Sequence, residues 1–441
     1  MSLTSPESVQ KLQAALRDKA KKSPNFRFYA LYDKVYRKDV LTFSYTCCKA
    51  NGGAAGVDGQ TFEDIEAYGV ERWLDELTQE LKIRTYRPLP VRRVYIAKPD
   101  GKQRPLGVPA IRDRCVMMAA GLVLGPIFEA DLSPEQYAYR RDRSALDAVR
   151  HVHKLINTGH VEIVDADLTS YFDTLPHSEL LKSVARRVVD GAILHLIKMW
   201  LTAPVEETDE RGKRHRSTRN RDEGRGSPQG SPISPLLSNI YMRRFVLGWK
   251  RLGHEGRLGA YMVNYADDFV ICCRSRGEEA LATMQVMMRT LKLTVNATKT
   301  RVAKLPEEKF DFLGYEFGRC YSTKTGRAYL GTIPAKKRVK RICQAISSET
   351  GRNRTQLDAT EVVTKLNQMM TGWANYFCLG PVSKAYRAID QHALRRLRWW
   401  LCHKHKVARP GTGKFPDESL YGSYGLVRLR ERTGNFSWAK S

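Results

Sequence analysis

Apolar residues recur at helical spacing in the N-terminal part of the chain. Between residues 61 and 82, the positions that share one helical face are Phe62, Ile65, Trp73, Leu74, Leu77 and Leu81. From residue 86 to residue 109 the pattern changes to two extended arms about the turn "KPDGK". The apolar run from Cys115 to Phe128 is too short to cross a bilayer, so it predicts a buried helix.

Strands and helices alternate further along the chain. Residues 161–168 ("VEIVDADL") and 260–274 predict strands, and residues 226–249 predict a turn followed by an amphipathic helix. Residues 206–226 contain no aliphatic or aromatic residue, which predicts a solvated hairpin or a mobile loop. The composition shifts to basic helices after about residue 330, so we expect a domain boundary there.

Two adjacent acids interrupt the apolar strand pattern in "NYADDFVICC", residues 264–273. Asp267 and Asp268 would lie at the tip of a β-hairpin, where an ordinary turn could explain them. Asp167 ends a second apolar strand, and neighbouring strands would bring all three carboxylates together. Converging carboxylates repel one another unless cations lie between them, and hard oxygen ligands favour Mg²⁺. A two-metal site for phosphoryl transfer is therefore our hypothesis.

The charge of the chain points to the kind of partner. Its formal net charge of +27 exceeds what solubility requires and favours nucleic acid over a membrane surface, with a solvated basic face as the simpler alternative. The first residues are polar and lack the apolar core of a secretory signal. The nine cysteines form no CxxC pair, so we expect reduced thiols in a cytoplasmic protein.

Seven motifs in order resemble the bacterial group II intron family of reverse transcriptases and maturases. They are "AKPDGKQRPLGVP" (97–109), "DLTSYFD" (167–173), "SPQGSPISPLLSNIYM" (227–242), "YADD" (265–268), "LTVNATKT" (293–300), "FDFLGYEF" (310–317) and "GWANYF" (372–377). The resemblance implies an α+β fold of the right-hand polymerase type. Fingers and a palm with an antiparallel sheet would be followed by an α-helical thumb.

The resemblance also implies a division of the chain into four parts. Residues 1–80 would be an N-terminal extension and the start of the fingers, and 81–330 the reverse transcriptase fingers and palm. Residues 331–382 would be the helical thumb, or maturase domain, and 383–441 a basic DNA-binding segment. In the last part, "RRLRWW" would supply phosphate contacts and aromatic faces for bases. The zinc-containing endonuclease domain of some family members is not expected.

Catalytic and metal-binding roles follow from the matched motifs. The resemblance makes Asp167, Asp267 and Asp268 the catalytic carboxylates. Asp167, Asp267 and Asp268, with the carbonyl of Leu168, would hold two Mg²⁺ ions, for which Mn²⁺ could substitute. Asp165 lies on the same strand face as Asp167, but the family assigns it no metal, so we expect a surface ion pair there.

Nucleotide-binding roles follow in the same way. Lys98 and Arg104 would bind the triphosphate, with a solvated basic hairpin as the alternative. Phe172 would lie beneath the sugar and exclude a 2′-hydroxyl, and a core aromatic is the alternative. Gln229 would pack near the nucleotide and the template.

The remaining expected roles concern the primer and the leaving group. Leu313 and Gly314 would form the primer grip. Lys299 would donate a proton to the departing pyrophosphate.

The function implied by the resemblance is RNA-directed DNA synthesis combined with maturase activity in intron splicing and mobility. The partners would be an RNA template, intron RNA, a DNA primer or target and dNTPs, without a membrane. Two alternatives remain open: a maturase that only binds RNA for splicing, and a domesticated relative that serves DNA repair or phage defence. The sequence does not fix the oligomeric state.

Overall fold

The computed structural model describes residues 3–97, 103–209, 211–322, 325–407 and 413–435. Up to residue 160 the elements are α1 (Glu7–Lys22), α2 (Tyr32–Val35), α3 (Lys38–Asn51), α4 (Phe62–Tyr68), α5 (Val70–Lys82), β1 (Val91–Ala97), β2 (Gln103–Val108), α6 (Ile111–Glu129) and α7 (Ala145–Asn157). Between residues 161 and 259 they are β3 (Glu162–Ala166), α8 (Tyr171–Thr174), α9 (His177–Ala185), α10 (Gly191–Thr202), β4 (Val205–Thr208), β5 (Arg214–Ser217), α11 (Arg219–Asp222), α12 (Ser234–Arg251) and α13 (His254–Leu258). The others are β6 (Ala260–Tyr265), β7 (Asp268–Cys273), α14 (Gly277–Thr290), β8 (Arg301–Lys304), β9 (Phe310–Phe312), β10 (Tyr315–Tyr321), β11 (Ala328–Pro334), α15 (Lys336–Glu349), α16 (Ala359–Tyr376), α17 (Ser383–Lys404) and α18 (Asp417–Tyr421), with 3₁₀ helices at Arg352–Arg354 and Leu429–Asn435. The predicted mixture of helices and strands is confirmed.

The amphipathic stretch from residue 61 to residue 82 forms two helices, α4 and α5, which meet at Gly69. Thr61 and Asp64 form a capping box at the start of α4, which satisfies backbone donors that the first helical turn leaves free. All six predicted apolar positions are buried. They belong to the same core as α6, the buried helix that the apolar run from Cys115 to Phe128 predicts.

Within the described residues the strands form three sheets. Their strand orders are β2-β1-β4-β5, β6-β7-β3-β8 and β11-β10-β9. Paired strands run antiparallel except β1 and β4, which run parallel. The two predicted arms about "KPDGK" are β1 and β2, which pair from Arg92–Val108 to Ala97–Gln103.

Residues 206–226 form a hairpin of β4 and β5 followed by the short helix α11. The prediction of a solvated hairpin is therefore confirmed over the mobile-loop alternative. Because β4 also pairs with β1, the segment extends the first sheet. The buried Glu206 carboxylate lies 3.5 Å from Arg214 and 3.3 Å from Arg216, which ties the two strands together.

The sheet β6-β7-β3-β8 is apolar on both faces. One face, with Val164 and Ile271, packs into the large core that contains α12 and α14. The other face, with Ile163 and Val270, packs with α7 and the sheet β11-β10-β9. Helices on one side and a second layer on the other hold the central strands rigidly, so the residues at the strand ends have fixed positions.

Helices α15, α16 and α17 share one core with α18 and the last 3₁₀ helix. The boundary predicted after residue 330 falls within β11, which pairs with β10 up to Pro334. The boundary predicted after residue 382 falls at the start of α17, within this shared core. The four-part division of the chain stays a prediction.

The two tryptophans of "RRLRWW" differ in accessibility, because Trp400 is buried and Trp399 is half-buried. Trp400 is fully buried in the helical core. The guanidinium groups of Arg352 and Arg396 lie 5.6 and 4.7 Å from the ring centre of Trp399, and His403 packs at 3.9 Å. The expectation of a base-stacking face is wrong for Trp400, because α17 turns that ring into the core, and stays a prediction for the half-buried Trp399. In the described part of the chain, no helix has the length and apolarity needed to span a membrane.

Candidate active site

Most of the predicted site residues line one cavity of about 770 Å³, although they come from distant parts of the sequence. The predicted residues around it are Arg104, Asp167, Leu168, Phe172, Gln229, Asp267, Asp268 and Lys299. Lys98 lies outside the described residues. Leu313 and Gly314 do not line this cavity and are described below.

The hairpin of β6 and β7 positions Asp267 and Asp268. Its turn residues are Ala266 and Asp267, because Tyr265 pairs with Asp268. The two acids therefore do not form the tip together, as the sequence suggested: Asp268 is already the first residue of β7. Ala266 has φ 58°, a left-handed conformation that costs a non-glycine residue roughly 1–2 kcal/mol. The buried Asn264 side chain stabilises it by donating a hydrogen bond to the Ala266 carbonyl at 2.8 Å.

Strand β3 brings Asp167 to the same place. It pairs with β7 up to Ala166–Phe269, so the continued antiparallel register sets Asp167 opposite Asp268. The backbone of Asp167 is held from the segment before β8: its carbonyl accepts from the Asn296 N–H at 2.8 Å. The Asp167 Oδ2 atom accepts hydrogen bonds from Lys299 Nζ at 3.0 Å and from Asn296 Nδ2 at 3.1 Å. Asn296 had no predicted role, although it lies within the motif "LTVNATKT".

The hairpin carboxylates bind protons more tightly than usual. Burial raises the pKa of Asp267, and the nearby Asp167 adds to the effect while Arg104 opposes it. Burial raises the pKa of Asp268 to about 6, and repulsion from Asp267, Asp167 and Asp165 contributes. Asp268 is exposed at the cavity, so its charged form is open to a cation from that side.

In the part of the chain that the structure describes, no three acidic, histidine or cysteine side chains converge closely enough to hold one metal ion. The three aspartates share one cavity without forming a ready-made cage. Their mutual repulsion opposes closer approach, and Lys299 already neutralises one oxygen of Asp167. A bound cation would have to draw the carboxylates together.

Strand β2 and the loop before α12 form the opposite side of the cavity. The Gly107 N–H donates to the Gln229 carbonyl at 2.6 Å. A Cβ at Gly230, which has φ 109°, would lie 2.6 Å from the Gly107 carbonyl oxygen, so this close approach requires glycine. The contact places Gln229 beside the strand that carries Arg104, whose charge reaches Asp267.

Phe172 is half-buried and faces the cavity, while the preceding Tyr171 is buried with its hydroxyl on the Ser238 carbonyl at 3.0 Å. The two rings pack edge to face, with centres 5.6 Å apart. Tyr139 also lines the cavity, with φ 55° and the charges of Asp267 and Arg104 nearby. Tyr139 had no predicted role, because "QYAYRRDRS" shows no spacing that separates a cavity residue from a core aromatic.

Leu313 and Gly314 form the tight turn between β9 and β10. Both have positive φ, 50° and 87°, and Phe312 pairs with Tyr315, as in a type I′ hairpin. The C-terminal helical region holds this turn: Tyr376 donates its hydroxyl to the Leu313 carbonyl at 2.8 Å, and the Ala335 N–H donates to the Gly314 carbonyl at 3.0 Å.

Asp165 differs from the surface ion pair that the sequence suggested. It is half-buried and pairs across the sheet with Arg301. Burial raises its pKa to about 6 in spite of that guanidinium, and Asp311 and Asp167 add repulsion. Its carboxylate does not line the cavity. The expectation is therefore wrong because the strand carries Asp165 beneath the C-terminal region rather than to the surface.

Two family models match the chain. Residues 96–317 match the family described as reverse transcriptase (RNA-dependent DNA polymerase), and residues 339–414 match the group II intron, maturase-specific domain. The chain therefore belongs to the reverse transcriptase family, whose members generally use divalent metal ions. Within that family it is an RNA-directed DNA polymerase of the group II intron type, with a maturase domain.

Curated relatives agree with this assignment. Protein YkfC of Escherichia coli (strain K12) is 32% identical over 367 residues, which cover 75% of this chain and 93% of YkfC. The group II intron-encoded protein LtrA of Lactococcus lactis subsp. cremoris is 30% identical over 227 residues, which cover 51% of this chain and 36% of LtrA. Nuclear intron maturase 2 of Arabidopsis thaliana is 30% identical over 94 residues, 21% of this chain and 13% of that protein.

Proposed function

We propose that this chain extends a DNA primer on an RNA template at the cavity between Asp167, Asp267, Asp268 and Arg104. The observation that carries the proposal is the placement of three carboxylates, a guanidinium and a half-buried phenyl ring around one space of about 770 Å³. Carboxylates suit divalent cations, the guanidinium suits a triphosphate, and the ring suits a sugar. Charged groups gathered around an open space do not stabilise a fold, because like charges repel and no apolar surface is buried.

The donor set fits two Mg²⁺ ions, with Mn²⁺ as a substitute. Asp167, Asp267 and Asp268 are hard oxygen donors, and burial together with repulsion from the neighbouring acids raises the pKa of Asp268 to about 6, which favours a bound cation as compensation. The backbone carbonyl of Leu168 would complete the set. When bound, the ions would activate the primer hydroxyl and neutralise charge on the phosphates.

The other cavity residues have roles that follow from their chemistry. Arg104 would bind the triphosphate by charge-assisted hydrogen bonds, together with Lys98. Gln229 would contact the nucleotide and template from the loop that packs on Gly107. Lys299 lies 3.0 Å from Asp167, and cation binding there would free its ammonium group to donate a proton to the leaving pyrophosphate.

The fold would be that of a right-hand polymerase. Sheet β2-β1-β4-β5 and the N-terminal helices would be the fingers, sheet β6-β7-β3-β8 the palm, and α15–α17 the thumb. Leu313 and Gly314 would hold the primer end at the junction of palm and thumb. The four-part division of the chain is part of this proposal.

Primer extension with purified protein tests the proposal. The assay supplies an RNA template, a DNA primer, Mg²⁺ and either dNTPs or NTPs. We expect extension with dNTPs and little with NTPs, because Phe172 leaves no room for a 2′-hydroxyl. Lack of templated extension with either set would contradict the proposal.

Phe172→Ala tests the sugar contact within the same assay. Removal of the ring should raise the use of NTPs relative to dNTPs by roughly 10²-fold, the discrimination that about 3 kcal/mol supplies. Tyr171→Phe is the matched control, since Tyr171 is buried beside it and should leave sugar choice unchanged. If Phe172→Ala and the parent discriminated equally between dNTPs and NTPs, the nucleotide sugar would not contact Phe172.

The maturase domain supports a second activity, assistance in the splicing of intron RNA. Intron RNA would be recognised in part by the basic charge of the chain, +27 in total. Splicing of a group II intron transcript, scored with the parent and with Asp267→Asn, tests this activity separately. We expect splicing to survive the loss of polymerase activity, and failure of both together would contradict independent roles.

A further inference from the structure

Arg338 lies in the first turn of α15 without a protein partner. Its Nε atom is buried and forms no hydrogen bond. In the described part of the chain, no hydrogen bond or ion pair involves its guanidinium group, although the residue is half-buried. A buried Nε–H without an acceptor is costly, and the other guanidinium nitrogens of Arg338 have no protein acceptor among the described residues, so this arginine is available to bind an anion.

Arg338 packs against the Leu313–Gly314 turn, and its charge acts on Asp268. A Cβ added to Gly314 would lie 3.0 Å from Arg338 Nε, so the guanidinium packs directly against that turn. The start of α15 is anchored there, because the Ala335 N–H donates to the Gly314 carbonyl at 3.0 Å. The positive charge of Arg338 also reaches Asp268, where it counteracts the rise in pKa.

Arg338 is not among the residues that line the cavity, whereas Asp268 lines it. The guanidinium therefore lies outside the lining of the proposed nucleotide site, against the turn proposed for the primer. The neighbouring Lys337 behaves differently, since its ammonium pairs with Asp311. The two adjacent cations therefore differ: Lys337 has an acidic partner in the protein, and the guanidinium of Arg338 has none among the described residues.

We propose that Arg338 binds a phosphodiester group near the 3′ end of the primer strand and thereby positions the terminal hydroxyl beside Asp268. The inference rests on the proposed function and extends it by one primer-binding residue. A planar guanidinium can hold two phosphate oxygens at once, which fixes the strand more precisely than a single ammonium does. The phosphate would supply the acceptors that the protein withholds from Arg338.

A charge-deletion scan of the primer tests this contact in the full-length protein. Each of the last four linkages is replaced in turn by an uncharged methylphosphonate, and primer–template binding and extension are measured for the parent and for Arg338→Gln. We expect Arg338→Gln to weaken primer–template binding roughly ten- to hundred-fold, as for a lost charged hydrogen bond, with an unchanged KM for dNTP. At the contacted linkage, methylphosphonate should weaken binding to the parent similarly and binding to Arg338→Gln hardly at all.

Lys337→Gln is the matched control, because Lys337 already has Asp311 as its partner. The factor by which Lys337→Gln weakens primer–template binding should multiply with the factor for methylphosphonate at every linkage, as expected for two independent changes. If Arg338→Gln also shows multiplicative effects at all four linkages, Arg338 is only a counter-charge for Asp268 and the proposal is overturned. If Arg338→Gln fails to fold, Arg338→Met keeps the aliphatic stem without the charge, and the same loss of the methylphosphonate effect at one linkage is required.

This design separates the inference from the proposed function. The parent protein with an unmodified primer shows whether templated extension occurs at all. If the effects of Arg338→Gln and of methylphosphonate multiply at every scanned linkage, templated extension by the parent still stands. Only the proposed contact between Arg338 and the primer is then contradicted.

Discussion

The central sheet and the C-terminal helical core treat charged side chains in opposite ways. In the helical core, Arg396 donates to Thr350 Oγ1 at 3.0 Å and to the carbonyls of Ser347 and Thr350 at 3.0 and 2.9 Å. Asp390 accepts from the backbone N–H groups of Leu429 and Arg430 at 2.9 and 3.1 Å. These charges connect helices, and no ligand is needed to satisfy them.

Around the β6–β7 hairpin, the carboxylates lack such partners. Asp268 has a pKa of about 6 because burial and three neighbouring acids outweigh the charge of Arg338. Among the three acids of the cavity, Asp167 has Lys299 and Asn296 as partners. The difference between the regions separates charges that the protein itself satisfies from charges that it leaves without a partner. Basic composition alone does not make this distinction, since the arginine-rich helix α17 uses Arg396 and Arg398 in internal hydrogen bonds and leaves Arg395 exposed.

The largest expected effect comes from removing one of the uncompensated carboxylates. Asp267→Asn should reduce primer extension by about a thousand-fold or more, since a bound metal supplies several kcal/mol of transition-state stabilisation. Its melting temperature should stay equal or rise, because repulsion within the hairpin is relieved. Single-turnover extension and thermal unfolding measure the two quantities.

Asp165→Asn is the matched control for that variant. Asp165 is also half-buried with a raised pKa, but it does not line the cavity. We expect its activity to stay within about tenfold of the parent, or 1.4 kcal/mol. Equal losses in both variants would mean that local charge, rather than a place in the cavity, determines activity.

An intermediate effect is expected from pH. The pKa of Asp268 is raised from 3.8 to about 6 in the folded protein, so this fold binds the proton more tightly than the unfolded chain. Below pH 6 a proton competes with the cation, and the apparent Mg²⁺ affinity should fall about tenfold per pH unit. Magnesium titrations of extension at pH 5, 6 and 7 measure this shift.

The same pKa has a consequence for stability without metal. Ionisation of Asp268 between pH 4 and 6 should destabilise the metal-free fold, since the unfolded chain gives up this proton more readily. Thermal unfolding in a chelator should therefore show a component that weakens with rising pH and disappears in Asp268→Asn. An identical pH profile for the variant would assign the raised pKa to another group.

The smallest effect on catalysis is expected from the helical core. Arg396→Ala should lower the free energy of unfolding by about 2–3 kcal/mol, because three carbonyl or hydroxyl acceptors lose their donor. The extension rate per folded molecule should change little. Arg395→Ala, on the exposed side of the same helix turn, is the control and should cost under about 0.5 kcal/mol. If Arg396→Ala lost extension activity without losing stability, the assignment of this arginine to the fold rather than to activity would be contradicted.

Much of the site could be predicted from motif order, but not its contacts. Asp167, Asp267, Phe172 and Gln229 reach one cavity as the resemblance to the family implied. Tyr139 and Asn296 were missed, because their roles depend on which loops face the cavity and not on local spacing. Arg338 could not be recognised, since nothing in "AKKRVKR" separates the cation that pairs with Asp311 from the one left without a partner.

The sequence by itself determined the elements, because periodicity and turn chemistry act over a few residues. It also determined the family, because seven ordered motifs carry that information. The tertiary structure alone decided which charges are satisfied. Whether a charge has a partner depends on residues that lie far along the chain, 46 positions away for Arg396 and Thr350 and 132 for Asp167 and Lys299. Only the packed chain brings such residues within hydrogen-bonding distance, and so only it separates the charges of the fold from those of the site.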